Sequence, residues 1–157
     1  MHLATVLAVV TVFCAGILAG ALVVIDYGVG HALAAIRDEQ AHIQVRQALI
    51  RRLRVLVPTI FVPTILVGLA LTLLAGSDPG FGLRVAGLLD VLACFVLTLL
   101  GTAPINATVL TWQPSAPPAQ WQTLVRRWER FDTARTCAAI TAFALFLLAM
   151  ALKLAAQ

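Results

Sequence analysis

The chain has 157 residues, of which 61% are hydrophobic and 11% charged, and its formal net charge is +4. Soluble domains carry about 25% charged residues, so the composition argues against a soluble domain and predicts a protein surrounded by lipid. The basic residues fall in a few clusters near the ends of apolar runs, a distribution that argues against a nucleic-acid-binding surface. Three cysteines lie inside apolar runs and are interpreted as small packing residues, because their spacing suits neither a disulfide framework nor a zinc site.

Four apolar runs are long enough to cross the hydrocarbon layer as helices, since about 20 residues suffice. They cover residues 3–25, 55–75, 83–103 and 136–152. The first run has no basic residue ahead of it and exceeds the apolar core of a signal peptide, so we expect it to be retained as a span. Within it, Gly16 and Gly20 form a GxxxG pattern, for which packing inside the bundle is a simpler explanation than a dimer interface.

The segments between the runs differ in character. Residues 26–54 combine arginines with apolar residues at helical spacing, a pattern typical of an amphipathic helix that extends the first span or lies among the headgroups. Residues 76–80 read Gly-Ser-Asp-Pro-Gly and predict a turn, and residues 110–135 predict an interfacial segment. The sequence therefore predicts an all-α fold, an integral membrane four-helix bundle with an amphipathic helical extension, as a single membrane domain over residues 1–157.

Basic residues also predict the orientation of the chain. Arginines cluster between the first and second runs and again between the third and fourth, whereas the Ser77 turn lies in a stretch without any. Because loops rich in Lys and Arg stay in the cytoplasm, we expect both arginine-rich loops inside and both termini outside, in the plasma membrane. Three tryptophans near the second of these loops are expected to form an aromatic belt at the inner interface: Trp112, Trp121 and Trp128.

Few polar residues lie where they could carry chemistry. Asp90 falls inside the third span, where it either faces the bundle interior as a functional group or pairs with Arg84 near the outer headgroups. Asn106 closes the same span and could cap the helix or contact a ligand. Asp132 and Arg135 share one helical face with Trp128, and this pair could hold an anionic oxygen or only anchor the last span.

A metal site is a weaker alternative. His31, Asp38 and His42 fall on nearly one helical face, and Glu39 with His42 gives half of a di-iron carboxylate pattern. The second Glu-x-x-His pair is missing from the sequence, so solvated loop charges explain these residues better. We therefore expect no metal among the ligands of this chain.

The second half of the chain resembles a known family. Pro104-Ile105-Asn106, then Trp121, then the stretch from Arg127 to Arg135 leading into the last apolar run are similar to the anthrone oxygenase-like family of small four-helix membrane proteins. Fungal members oxidise anthrones to anthraquinones with molecular oxygen and no evident cofactor. Most bacterial relatives have no established activity. The sequence departs from the family pattern at Asp132, where Asn or His is usual.

The resemblance implies a chemistry for the candidate residues. An anthrone-like substrate would lose a proton to Asp132 or Asp90, and the electron-rich enolate would itself reduce oxygen, with no cofactor. Asn106 and Arg135 would hold the enolate oxygen and the peroxide formed from it. Trp112 and Trp128 would stack on the rings of a lipophilic aromatic substrate, although anchoring at the membrane interface also explains both.

A different class of function remains open at this point. The chain could be a non-catalytic accessory or assembly subunit, whose amphipathic segments dock onto a membrane protein partner. The spans offer few ionisable residues to line a path, which makes a channel or transporter a weaker third possibility. In each case the lipid bilayer is an expected partner.

The predicted orientation can be tested by cysteine accessibility in intact cells. We expect Ser77→Cys to react with a membrane-impermeant maleimide added outside, and Arg51→Cys to react only after permeabilisation, because positive charge keeps the second position in the cytoplasm. Equal labelling of both positions in intact cells would contradict the four-span arrangement.

Overall fold

The fold of residues 2–156, described by a computed structural model, consists of four long helices. They are Leu3–Ala34 (α1), Glu39–Leu74 (α2), Phe81–Leu110 (α3) and Trp121–Ala155 (α4), and each is long and apolar enough to cross a membrane. The described residues contain no strand. Consecutive helices pack on each other and α4 closes against α1, which gives an up-and-down bundle. The predicted fold class is confirmed, and the chain is a membrane protein.

The segment expected to be one amphipathic helix is divided between α1 and α2. α1 continues to Ala34, the backbone leaves the helix over residues 35–38, and α2 begins at Glu39. Asp38 ends the break as an N-cap, because its Oδ2 accepts a hydrogen bond of 2.7 Å from the backbone N–H of Ala41. The apolar periodicity continues through this break, so periodicity alone did not reveal it.

All four helices are longer than the hydrocarbon layer requires. They have 30 to 36 residues and therefore span at least about 45 Å, against a layer about 30 Å thick. The excess lies on the arginine-rich side, at the end of α1 and the beginnings of α2 and α4. The predicted amphipathic extension is thus built from the protruding ends of the spans.

Small residues allow the helices to approach closely at several levels. Gly16 of the GxxxG pattern faces the ring of Phe143 on α4, which confirms packing inside the bundle for this glycine. Gly101 on α3 lies so close to Phe131 on α4 that a Cβ atom would come within 2.5 Å of the phenyl ring. The contact between α3 and α4 therefore depends on the missing side chain at residue 101.

The predicted turn at residues 76–80 is held by a buried arginine. Arg84 is only 2% exposed, pairs with Asp78 at 2.6 Å and donates a hydrogen bond of 2.6 Å to the backbone oxygen of Gly76. Lys153, near the end of α4, lies 4.0 Å from the other carboxylate oxygen of Asp78. Arg84 thus pairs with the turn, and the pairing with Asp90 that sequence allowed is not formed.

The close approach at Gly101 gives a stability prediction. We expect Gly101→Ala to lower the free energy of unfolding by about 1–3 kcal/mol, because the added methyl overlaps the ring of Phe131 near its root. Gly82→Ala is the matched control, since a Cβ there meets no atom within 4 Å. Denaturant titration in mixed micelles measures both, and equal stability of the two variants would contradict this packing.

Candidate active site

Two of the predicted residues form a buried ion pair on α4. Asp132 is 0% exposed and Arg135 is 4% exposed. The Nε of Arg135 donates to Oδ1 of Asp132 at 2.6 Å, and Nη2 makes a second contact with the same oxygen. Because removing either partner would leave an uncompensated charge inside the bundle, the two side chains act as one unit.

Neighbouring helices reach this pair through irregular turns. α3 contains a π-helical segment, Thr98–Thr102, whose last residue accepts a hydrogen bond of 3.5 Å from Nη1 of Arg135. α1 contains another, Val24–Val29, in which Asp26 accepts a hydrogen bond of 3.0 Å from Thr133. Single π turns insert a residue into a helix and are frequent at functional sites. Both irregularities lie at the level of the Asp132–Arg135 pair.

A second buried arginine comes from α2. Arg46 is 4% exposed, and its guanidinium lies over the indole of Trp128 at 5.0 Å from the ring centroid. It is also within electrostatic range of Asp132 and Glu129. Trp128 is itself only 6% exposed, so the expectation that it belongs to an aromatic belt facing lipid is wrong. Its indole packs under the guanidinium of Arg46 inside the bundle.

A cavity of about 350 Å³ adjoins these residues, between α2, α3 and the floor formed by α4. That volume is typical of small-molecule sites. Its wall is largely apolar, with the polar groups of Asn106, Arg135 and Trp128 among the lining residues. The remaining lining residues are Ile50, Leu53, Arg54, Val57, Pro58, Phe61, Phe95, Thr98, Leu99, Thr102, Ala103, Ala107 and Leu110.

Two polar atoms of lining residues have no hydrogen-bond partner. Oδ1 of Asn106 and Nε1 of Trp128 are both buried and unpaired. A buried polar atom without a partner destabilises the protein by roughly 1–3 kcal/mol, and such atoms need an explanation. Capping of the helix end, the simpler role considered for Asn106, does not pair its oxygen. An acceptor and a donor are thus available at the cavity.

The other predicted site residues lie elsewhere. Asp90 is half-buried on α3 and does not line the cavity, and no residue in the described part of the chain pairs with it. Trp112 lies in the connection after α3, where its backbone oxygen accepts a hydrogen bond of 2.9 Å from Gln47 and its side chain packs against the core without lining the cavity. Asp132 pairs with Arg135, which lines the cavity, but is not itself a lining residue.

The residues considered for a metal have other contacts. Asp38 caps α2, the Nδ1 of His31 lies 2.6 Å from the backbone oxygen of Tyr27, and the ring of His42 packs on Trp121 at a centroid distance of 5.0 Å. Within residues 2–156, no group of three or more His, Cys, Asp or Glu side chains could hold a metal ion.

Sequence reasoning missed several contributors to the site. Arg46 resembled any other arginine of an amphipathic segment, and Gln47 and Thr102 resembled ordinary polar residues. A signal did exist for Arg46 and Gln47, since they lie three and four residues after Ile43 and one turn before Ile50, on the apolar face. No pattern in the sequence marked the π turn that presents Thr102.

The fold and these contacts define a four-span helical membrane protein with an apolar cavity built against a buried acid–arginine pair. A sequence profile described as anthrone oxygenase matches residues 46–145. This is more than half of the chain, and the chain belongs to the anthrone oxygenase family, which confirms the resemblance. The match begins at Arg46 and includes the cavity and the ion pair. Membership supports an oxygenase-like function at the level of the family. No significant match was found among curated proteins or solved structures.

The buried pair gives a prediction about stability. We expect Asp132→Ala to lower the free energy of unfolding by about 3–5 kcal/mol, because Arg135 would remain buried without a partner. Asp132→Asn should cost less, since the amide oxygen can still accept from the Nε of Arg135. Unfolding in mixed micelles compares the two variants, and equal losses would show that pairing does not hold Arg135 in place.

Proposed function

We propose that this protein is a membrane-embedded oxygenase that oxidises a lipophilic aromatic substrate with molecular oxygen, without a cofactor. The observation that carries the proposal is the apolar cavity, whose wall presents an arginine, an unpaired amide oxygen and an unpaired indole N–H. Family membership supports the same chemistry. A cavity with a few convergent polar groups is the usual form of a site for an apolar ligand.

Aromatic side chains in the cavity wall suit a planar ligand. The rings of Phe61 and Phe95 lie 5.8 Å apart at an angle of 55°, and both line the cavity together with Trp128. We assign ring contacts to these three residues. Trp112, which sequence reasoning paired with Trp128 for stacking, does not line the cavity and is left out of the proposal.

Arg135 and Asn106 are the groups we assign to the developing negative charge. An anthrone-like substrate loses a proton from its activated methylene carbon. The negative charge then moves to the ketone oxygen on the opposite side of the ring, which gives an enolate. The guanidinium of Arg135 and the Nδ2–H group of Asn106 would donate hydrogen bonds to that oxygen. In a water-poor cavity such donors stabilise charge more than they would in solvent.

Asp132 is our candidate for the proton acceptor. Its Oδ2 is buried without a partner, and it is connected to the cavity wall through Arg135. The lining residues include no carboxylate or imidazole. We therefore assign this step to Asp132, the carboxylate that is hydrogen-bonded to the lining residue Arg135. Asp90 has no place in this step, because it neither lines the cavity nor pairs with a residue that does.

The reaction balances with oxygen as the sole oxidant. The enolate carbon bonds to one oxygen atom, and the resulting peroxide anion takes up the proton held by Asp132. Loss of the second hydrogen from that carbon, with cleavage of the O–O bond, then gives a carbonyl group and one water molecule. The methylene carbon is oxidised by four electrons and both oxygen atoms are reduced. The protein supplies a base, hydrogen-bond donors and a cavity of low polarity.

The site also bears on where the protein works. The cavity lies toward the arginine-rich end of the bundle, and the clustering of basic residues there favours the cytoplasmic side for this end. We propose a plasma-membrane location, with both termini outside and the catalytic groups near the inner leaflet.

Oxygen uptake by the purified protein tests the function. With an anthrone as substrate, we expect Asp132→Asn to lower kcat by about 10²- to 10⁴-fold, the range for loss of a general base. Asn106→Ala should lower kcat less, because one of two donors remains. Asp90→Asn is the matched control on α3 and should keep wild-type turnover.

Two outcomes would contradict the proposal. Unchanged turnover in Asp132→Asn would reject Asp132 as the base. Absence of any oxygen uptake by the wild-type protein, together with co-purification of a stable membrane partner, would support the accessory-subunit alternative in place of catalysis.

A further inference from the structure

We infer that the cavity is filled from the bilayer, through a lateral opening between α2 and α3 that admits a lipophilic aromatic molecule from the arginine-side leaflet. This inference rests on the proposed function for the identity of the substrate. The opening itself follows from how exposure is distributed among the lining residues.

The residues that line the cavity differ in exposure according to the helix on which they lie. The lining residues from α4, Trp128 and Arg135, are both buried. The exposed lining residues all belong to α2 and α3: Arg54, Pro58, Leu99, Ala103 and Ala107. α4 is therefore the floor of the cavity, and the opening lies between the other two helices.

This opening faces hydrocarbon for most of its length. The predicted spans run from residue 55 on α2 and to residue 103 on α3, so Pro58 and Leu99 lie within the apolar layer. Arg54 and Ala107 lie just beyond it, at the depth of the headgroups. Apart from Arg54, the exposed lining residues carry no charge or side-chain hydrogen-bonding group. An apolar molecule dissolved in the leaflet meets no polar barrier there.

Contacts at the arginine-side end of the cavity restrict access from water. Gln47, one turn before Ile50, donates hydrogen bonds of 2.9 Å to the backbone oxygens of both Val109 and Trp112. These bonds fasten α2 to the end of α3. Beside them, the guanidinium of Arg46 covers Trp128. The wall between the cavity and the arginine-rich loops is thus closed by the buried side chains of Gln47 and Arg46, whereas the side toward lipid is open.

Small side chains keep the opening wide on one edge. Ala103 and Ala107 are both exposed, lie one turn apart on α3 and both line the cavity. A bulky residue at either position would project into the passage. Ala93 lies on the same helix, is equally exposed and does not line the cavity, so it offers a matched position for comparison.

Fluorescence quenching tests the opening without requiring turnover. The chain has three tryptophans, so Trp112→Phe with Trp121→Phe leaves Trp128 as the only indole. In nanodiscs of phosphatidylcholine brominated on its acyl chains near the headgroup, we expect strong quenching of Trp128 when a chain enters the cavity. Ala103→Phe and, separately, Ala107→Phe should remove most of this quenching, and Ala93→Phe should not.

The same variants separate this inference from the proposed function. Blocking at residue 103 or 107 should also raise KM for a lipophilic anthrone with kcat little changed, because entry is impeded and the catalytic groups are intact. Quenching that is absent in the parent, or equal in the parent and both blocked variants, would overturn the lateral opening even if oxygen uptake is normal. Block-sensitive quenching without oxygen uptake would keep the opening and reject the oxygenase.

Discussion

The ion pair between Asp132 and Arg135 constrains the rest of this molecule. A carboxylate that is 0% exposed inside a membrane bundle is tolerated only when its charge is matched. Arg135 provides that match, and Thr102 on α3 accepts a further hydrogen bond from the guanidinium. α1 joins the same level through Asp26 and Thr133. Three helices thus converge on one pair of charges, and the cavity forms where α2 approaches them across Trp128.

The architecture was largely predictable because lipid imposes simple rules. Runs of about 20 apolar residues specify spans, and the four runs coincide with four helices. The ends of the helices were harder to predict from the sequence. The break at residues 35–38 depends on one cap at Asp38, while the apolar periodicity continues across it. The apolar periodicity predicts one continuous helix, whereas the local hydrogen bond at Asp38 begins a new one. The local hydrogen bond determines where α2 begins.

The candidate site was predictable in part. Asp132, Arg135 and Trp128 were singled out because they share one helical face, and Asn106 because it closes a span; the structure gathers all four at or beside one cavity. Asp90 was singled out because a carboxylate inside a span is costly, and it lies apart. Periodicity gives the face of a helix but not which neighbour that face meets, so a sequence could not distinguish the two aspartates. Arg46 and Gln47 show the converse, since their residue types favour solvent although their spacing from Ile43 and Ile50 places them on the apolar face.

Exposure on a membrane helix also has a different meaning from exposure in water. Apart from Arg54, the exposed wall residues of α2 and α3 are apolar, which in a soluble protein would suggest a missing partner. In a bilayer the same surface is solvated by acyl chains. The lateral opening that we infer would make the cavity continuous with the hydrocarbon phase, so that the concentration of a lipophilic substrate in that phase, more than in water, would set the occupancy of the site.

The clasp of Arg84, Asp78 and Lys153 lies at the opposite end of the bundle from the cavity. Gly80 adds to it, since its Cα approaches the α4 backbone so closely that a Cβ would lie 2.8 Å from the oxygen of Ala149. At the other end of the bundle, Gln47 fastens α2 to the end of α3. The two helices are therefore joined at both ends, and any widening between them for a bound molecule is confined to the stretch between these two attachments.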